Sequence, residues 1–240
     1  MNSLNILHIS DAHIQMDAKE EVSEIVAKMV NDALKVQKEQ DIKIDLVCFT
    51  GDLIQRGDKA LDDEKQMEIA EDILVNPVLN SLGLEKNKFI IVPGNHEVDV
   101  KKIVRATEKG LLVDSLEEIN DNVSDMNKSY LARLDYFYQW IDHYYDDIIR
   151  EKIGYAFLRE INGKKIGIAC IDSAWRSSGK GGCEKGILYV GQKQINDLYK
   201  HIKDTDIKIC LMHHPTDWLS DYESTIIERE LTEFDIVLRG

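Results

Sequence analysis

Seven short runs of β-branched and other apolar residues punctuate this 240-residue sequence, near 5–10 and at 46–50, 89–92, 155–161, 165–172, 207–212 and 235–238. Each has the length and the Ile/Val content of a strand rather than of a helix. Between the first two, Val22, Ile25, Val26, Met29, Val30, Ala33 and Leu34 recur at the i, i+3, i+4, i+7 spacing of an amphipathic helix. Comparable spacing recurs around 64–75, 129–149 and 192–202. Strands alternating with helices predict an α/β protein. No repeat, low-complexity tract or Pro/Ser-rich linker divides the chain, so residues 1–240 read as one domain.

The runs at 155–161 and 165–172 flank Asn162-Gly163, a pair that favours a two-residue hairpin turn, so antiparallel pairing is expected beside the parallel. Residues 98–152 interrupt the alternation with a helical stretch that has no strand signal and is rich in aromatics, among them Tyr136, Phe137, Tyr138, Trp140, Tyr144 and Tyr145. Such a set makes a packing face, and the segment reads as a helical insertion laid over the domain.

Thirty basic against 44 acidic residues give a net charge of −14, which opposes broad binding to a duplex nucleic-acid backbone or to an anionic bilayer. No apolar run approaches the roughly 20 residues of a membrane span, and the first residues lack the charged and cleavable parts of a signal peptide. Cys48, Cys170 and Cys210 sit inside apolar runs and Cys183 in a glycine-rich loop, with no zinc-ligand spacing and no disulfide framework. A cytoplasmic protein is expected.

Polar residues cluster where the strand runs stop. The first ends in Ser10-Asp11-Ala12-His13, the second in Thr50-Gly51-Asp52, the third in Pro93-Gly94-Asn95-His96-Glu97 and the sixth in Met212-His213-His214-Pro215. Ligands of α/β folds gather at carboxyl ends of strands. Asp11 and His13, two apart, can face one cation if the chain is extended there. A carboxylate such as Asp52 can bridge two cations about 3.5–4 Å apart. Asn95 offers a neutral oxygen and His213 an imidazole, and a set of nitrogen and oxygen donors without thiolate suits manganese, iron, zinc or nickel.

In order and placement, Asp11-x-His13, Gly51-Asp52, Gly94-Asn95-His96-Glu97 and His213-His214-Pro215 resemble the motifs of the calcineurin-like metallophosphoesterase superfamily. The resemblance implies a four-layer α-β-β-α sandwich with mixed sheets and two divalent cations at the sheet ends, manganese first among them. It implies that Asp11 and His13 bind one cation, Asp52 bridges, and Asn95 and His213 bind the other. It makes His96 a catalytic acid, with Glu97 or another carboxylate orienting its ring. His214 is expected to orient the site or touch substrate, and Arg56 resembles the phosphate-contacting arginine of the Ser/Thr phosphatase branch.

Two departures accompany the likeness. Gln55 stands where that branch has an aspartate, and the last Gly-His-x-His motif is met only as far as Arg239-Gly240. The expectation is therefore that residues 1–240 are the N-terminal part of a longer chain with further domains downstream, and that the fragment alone holds metal weakly and has little or no activity. The implied activity is metal-dependent hydrolysis of a phosphoester by a metal-activated water, most like the branch acting on cyclic nucleotides and small phosphodiesters. Trp175, Arg176 and the glycine-rich loop at 177–186 follow the strand ending in Asp172-Ser173, from which side chains can reach the substrate, while a core tryptophan and an ordinary surface loop are the preferred reading. The alternatives are a recombination-type nuclease and a non-catalytic sensing or binding module of a larger protein.

Overall fold

The computed structural model describes residues 3–15, 17–55, 63–104, 108–109, 113, 115–125 and 131–240. Two sheets carry the architecture. The first holds β1 (Ile6–Ile9), β2 (Leu46–Phe49) and β3 (Phe89–Ile91), all parallel in that order. The second holds β4 (Ile149–Arg150), β5 (Tyr155–Ile161), β6 (Lys164–Cys170), β7 (Ile207–Met212) and β8 (Ile236–Arg239). In the second sheet β4, β5 and β6 pair antiparallel, and β6, β7 and β8 parallel, which gives the mixed sheet that the sequence predicts. The β5–β6 hairpin turns at Asn162 (φ 52°) and Gly163 (φ 74°), two successive left-handed residues of the kind a type I′ turn requires.

The helices are α1 (Lys19–Gln40), α2 (Asp63–Ala70), α3 (Asn76–Leu82), α4 (Leu116–Asp125), α5 (Asp135–Tyr144), α6 (Gln192–Ile202) and α7 (Ser224–Leu231). A π-helical turn at Glu71–Val75 joins α2 to α3. On α1 the buried stripe is Val26, Val30 and Ala33, while Ile25 and Leu34 are exposed. At 100° per residue those two fall on opposite flanks of the stripe, which the simple spacing rule does not separate.

Strand alternation decides what lies between the layers. Along β6, Ile166, Ile168 and Cys170 join the main core with the residues of β2 and β3, while Ala169, and Ile171 just beyond the strand, pack with Ile195, Leu198 and Ile202 of α6 and Ile227 of α7. The outer face of β6 must stay small, because a Cβ on Gly167 would stand 2.4 Å from Cβ of Ile202. One apolar layer thus fills the space between the sheets, and α6 and α7 cover the second sheet.

The described parts of the segment 98–152 pack over the domain: Ile119, Phe137 and Ile141 are fully buried in the main core, and Tyr145 Oη donates to the carbonyl of Phe89 at 2.7 Å. One correction applies to it. The segment is not free of strand, since Ile149–Arg150 adds a two-residue edge to β5, a stretch too short for periodicity to reveal. Among the described residues no helix is long and apolar enough to cross a membrane.

Candidate metal centre

Register brings the polar strand ends together. Ile9, Phe49 and Ile91 are paired neighbours at the ends of β1, β2 and β3, and Cys170, Leu211 and Leu238 are paired neighbours near the ends of β6, β7 and β8. The residues that follow both rows meet at one rim. His213 Nδ1 lies 2.7 Å from the carbonyl of Thr50, and the amide of Gly240 donates to the carbonyl of His213 at 3.0 Å.

The local backbone is built for the site. Asp11 (φ 55°), His13 (φ 44°) and Asp52 (φ 58°) all adopt the left-handed region, which is uncommon for residues with a Cβ. The expectation that Asp11 and His13 reach one cation from an extended chain is therefore corrected: the chain kinks at both. It does so within a continuing ladder, because the amides of Asp11, His13 and Ile14 donate to the carbonyls of Gly51, Asp52 and Leu53. The kinks turn both side chains to the same side, with His13 Nε2 3.7 Å from Asp11 Oδ1. Gly94 leaves room for Asp52, since a Cβ there would meet Asp52 Oδ1 at 2.2 Å.

Asp52 is the hub. Its Oδ2 has Nε2 of His213 at 3.5 Å, of His13 at 3.8 Å and of His96 at 4.0 Å, while its Oδ1 accepts the backbone N–H of His96 at 2.8 Å. Two sets of donor atoms close enough to share a cation result: His13, Asp52 and His96, and Asp11, Asp52 and His213. Asp52 is common to both, as a bridging ligand must be. The other partners group differently from expectation, with Asp11 beside His213 and the imidazoles of His13 and His96 edge to face at 4.3 Å. Asn95 enters through Oδ1, 3.3 Å from His213 Nε2.

These donors fit divalent cations on physical grounds. The imidazole-to-Asp52 separations are long for hydrogen bonds, yet they suit two donors that each stand about 2.0–2.2 Å from a shared cation. His213 can only donate from Nδ1 to the Thr50 carbonyl, so its neutral ring keeps the lone pair on Nε2, the atom facing Asp52. His13 Nδ1 is buried without a hydrogen-bond partner. The contact with His13 holds the Asp11 carboxyl down at about 2, and the Asp11 and Asp52 carboxylates raise the pKa of His13.

Glu97 takes a different part from the one expected. Its fully buried carboxylate accepts the backbone N–H groups of Asp52 (2.9 Å), Gly94 (2.7 Å) and Ile54 (3.1 Å), locking the loop after β2 to the loop after β3. Burial, with the Asp52 carboxylate beside it, pushes its pKa up, and the three N–H groups oppose that rise. The gluey part of the motif is therefore its acid, and only the tertiary contact reveals it.

His214 is buried against Trp218, its ring centroid 5.5 Å from the indole. Its backbone N–H donates to Ser173 Oγ at 2.9 Å and its Nδ1 lies 3.0 Å from the same hydroxyl, leaving Nε2 as the ring nitrogen away from Ser173. That Nε2 is buried without a partner, and burial drives the ring pKa down to about 3. Ser173 was legible only as a polar residue after a strand. Trp175 is a core residue, fully buried with Nε1 donating to the carbonyl of Val190, and does not reach the site. Arg56 lies outside the described residues.

The family model described as calcineurin-like phosphoesterase matches residues 4–240, nearly the whole chain. The chain belongs to the calcineurin-like phosphoesterase family. It is also similar to YydB of Bacillus subtilis (strain 168), named as an uncharacterised metallophosphoesterase-like protein, with 25% identity over 254 aligned positions. That alignment covers 99% of this chain and 48% of YydB, so the chain spans about half the length of that relative. For a calcineurin-like phosphoesterase, metal-dependent hydrolysis of phosphoesters is the general chemistry that family membership supports, and the donor set of this one fits the metal that chemistry needs.

Just behind the centre of this phosphoesterase, Asp172 is fully buried and accepts from Tyr138 Oη (2.6 Å) and the amide of Ala174 (2.8 Å). Burial raises its pKa from 3.8 to about 6, although these bonds oppose the rise. The folded protein thus holds this proton more tightly than the unfolded chain, so the stability it contributes is present below about pH 4 and is lost as pH rises through about 6. Asp172→Asn is expected to flatten the slope of unfolding free energy between pH 4 and 6 in urea titrations. An unchanged slope would show that Asp172 does not titrate in that window.

Proposed function

We propose that this chain forms a two-cation centre that hydrolyses small phosphodiesters, cyclic nucleotides among them, in the cytoplasm. The observation that carries the reading is the sharing of Asp52 between two groups of donor atoms. Asp11, His13, Asp52, Asn95 and His213 hold the cations. Nitrogen and oxygen donors without thiolate make manganese the metal we assign, with iron, zinc and nickel accepted by the same set. When bound, such a pair supplies Lewis acidity and lowers the pKa of water towards neutrality.

The chain's own groups do the rest. His96, partly exposed and anchored through its N–H on Asp52, protonates the leaving oxygen. Glu97 keeps the two ligand loops at fixed separation, and the Thr50 carbonyl holds the His213 tautomer. The buried Nε2 of His214 has no hydrogen-bond partner among the described residues, which supports a contact to substrate. Cys48, Cys170 and Cys210, packed as buried thiols, suit a reducing compartment.

His96→Ala is expected to lower kcat for bis(p-nitrophenyl) phosphate with manganese by about a hundredfold, within the range of general acid catalysis. The loss should be larger for a diester with a poorer, alkyl leaving group, because such a group depends more on protonation. Equal losses on the two substrates would remove the acid role from His96. A panel of cyclic nucleotides, mononucleotides and single-stranded DNA distinguishes the proposed substrate class from a nuclease.

A further inference from the structure

A cleft of about 490 Å³ is lined by residues that follow, along the chain, the segments carrying His96 and Ser173. One wall includes Ile103 and begins at Val100, four residues beyond His96 and so within about 14 Å of it along the chain. The opposite wall holds Arg176, three residues after Ser173, whose hydroxyl meets His214. The floor includes Leu188, which bridges to Leu219 next to Trp218, the indole against His214.

The charge of this cleft runs against that of the molecule. The chain carries −14 overall, yet Arg133 and Arg176, at 2% and 8% exposure, both point a guanidinium at the same carboxylate, Glu108. Two guanidinium groups against two carboxylates, Glu108 and Glu184, balance one another, so the positive excess of the cleft is that of Lys109 and Lys180. The other carboxylate of the wall, Glu184, is tied to Ser177 Oγ (2.7 Å) and the amide of Ser178. Arg176 Nε is buried with no hydrogen-bond partner among the described residues. Lys109, beside Glu108, and Lys180, on the same loop as Arg176, also line the cleft.

We propose that this cleft is an anion subsite that receives a second phosphate group on the substrate, so that the preferred substrates of the centre are phosphoesters bearing another phosphate on the leaving portion. The assignment rests on the phosphoester hydrolase reading above. A planar carboxylate already fills the fork between Arg133 and Arg176. The remaining donors, Arg176 Nε and Lys180 from one loop and Lys109 from another segment, can be satisfied together by a tetrahedral group with three free oxygens. The apolar side chains of Ile103 and Leu188 line the body of the cleft, and its volume lies within the range of small-molecule sites.

The test is calorimetric binding of adenosine 3′,5′-bisphosphate, adenosine 5′-monophosphate and adenosine 3′-monophosphate to the full chain with manganese. The bisphosphate is expected to bind at least about tenfold more tightly than either monophosphate, equivalent to about 1.4 kcal/mol. Taking the ratio within each protein cancels damage common to all three ligands. The ratio should fall close to one in Arg176→Gln. It should fall about threefold in Lys180→Glu, an exposed substitution that decides the matter if the buried one prevents folding. A ratio near one in the wild-type protein, no binding of the bisphosphate, or a ratio that survives both substitutions overturns the subsite. Turnover of bis(p-nitrophenyl) phosphate by the wild type is scored separately: its absence counts against the hydrolase reading, while the ratio alone decides the subsite.

Discussion

Replacing Asp52 with alanine is expected to lower manganese affinity at both cation positions by about a hundredfold or more and to bring phosphodiester turnover close to background. The size of the effect follows from position. Mutating groups that merely support metal ligands costs about 10–100-fold, and Asp52 is itself the donor shared by both groups. Its loss would also leave three imidazoles converging on the place of one missing carboxylate oxygen, with Asp11 as the carboxylate that remains beside them. Asp52→Asn separates charge from position, because the amide oxygen can still accept the His96 N–H that Asp52 Oδ1 accepts at 2.8 Å. A centre that depends on the charge loses metal in both variants. Calorimetric titration with manganese and turnover of bis(p-nitrophenyl) phosphate report the two effects, and retention of two bound manganese ions by Asp52→Ala would refute the bridging assignment.

Glu97→Ala is expected to destabilise the fold by about 4 kcal/mol, measured by urea unfolding. The side chain is fully buried and accepts three backbone N–H groups, from Asp52, Ile54 and Gly94. Each buried donor left without a partner costs about 1–3 kcal/mol. Glu97→Gln should fall between wild type and alanine, since one oxygen can still accept while the new amide N–H₂ faces a backbone donor. Both variants should also weaken manganese binding, because Glu97 fixes the loops that carry Asp52 and Asn95. A loss below about 1 kcal/mol in Glu97→Ala would show that water or rearrangement replaces the clamp.

These two residues illustrate what the chain discloses locally. Asp52 was legible because it follows a strand run and a glycine, and that pattern survives without any knowledge of neighbours. Glu97 was legible as part of Gly94-Asn95-His96-Glu97, but its work was not: its partners, Asp52 and Ile54, lie more than 40 residues away. The hairpin at Asn162-Gly163 was readable because a two-residue turn needs left-handed backbone that Asn and Gly tolerate. The two-residue strand β4 was not, because a pair of residues has no period. Trp175 and Arg176 are adjacent in sequence, yet one is a core residue and the other lines a cleft, which the burial of their side chains alone decides.

By itself, the sequence determined the α/β class, every strand but β4 and the identity of the residues that stand at their carboxyl ends. Hydrophobic periodicity and turn chemistry act over a few residues and so can be read along the chain. Only the tertiary structure decided which donors lie close enough to share a cation, that Asp11, His13 and Asp52 sit in left-handed backbone, and that two buried arginines converge on Glu108. Those are distances between segments, as with His213 and Thr50 163 residues apart, and they are set by sheet register and core packing rather than by any local pattern.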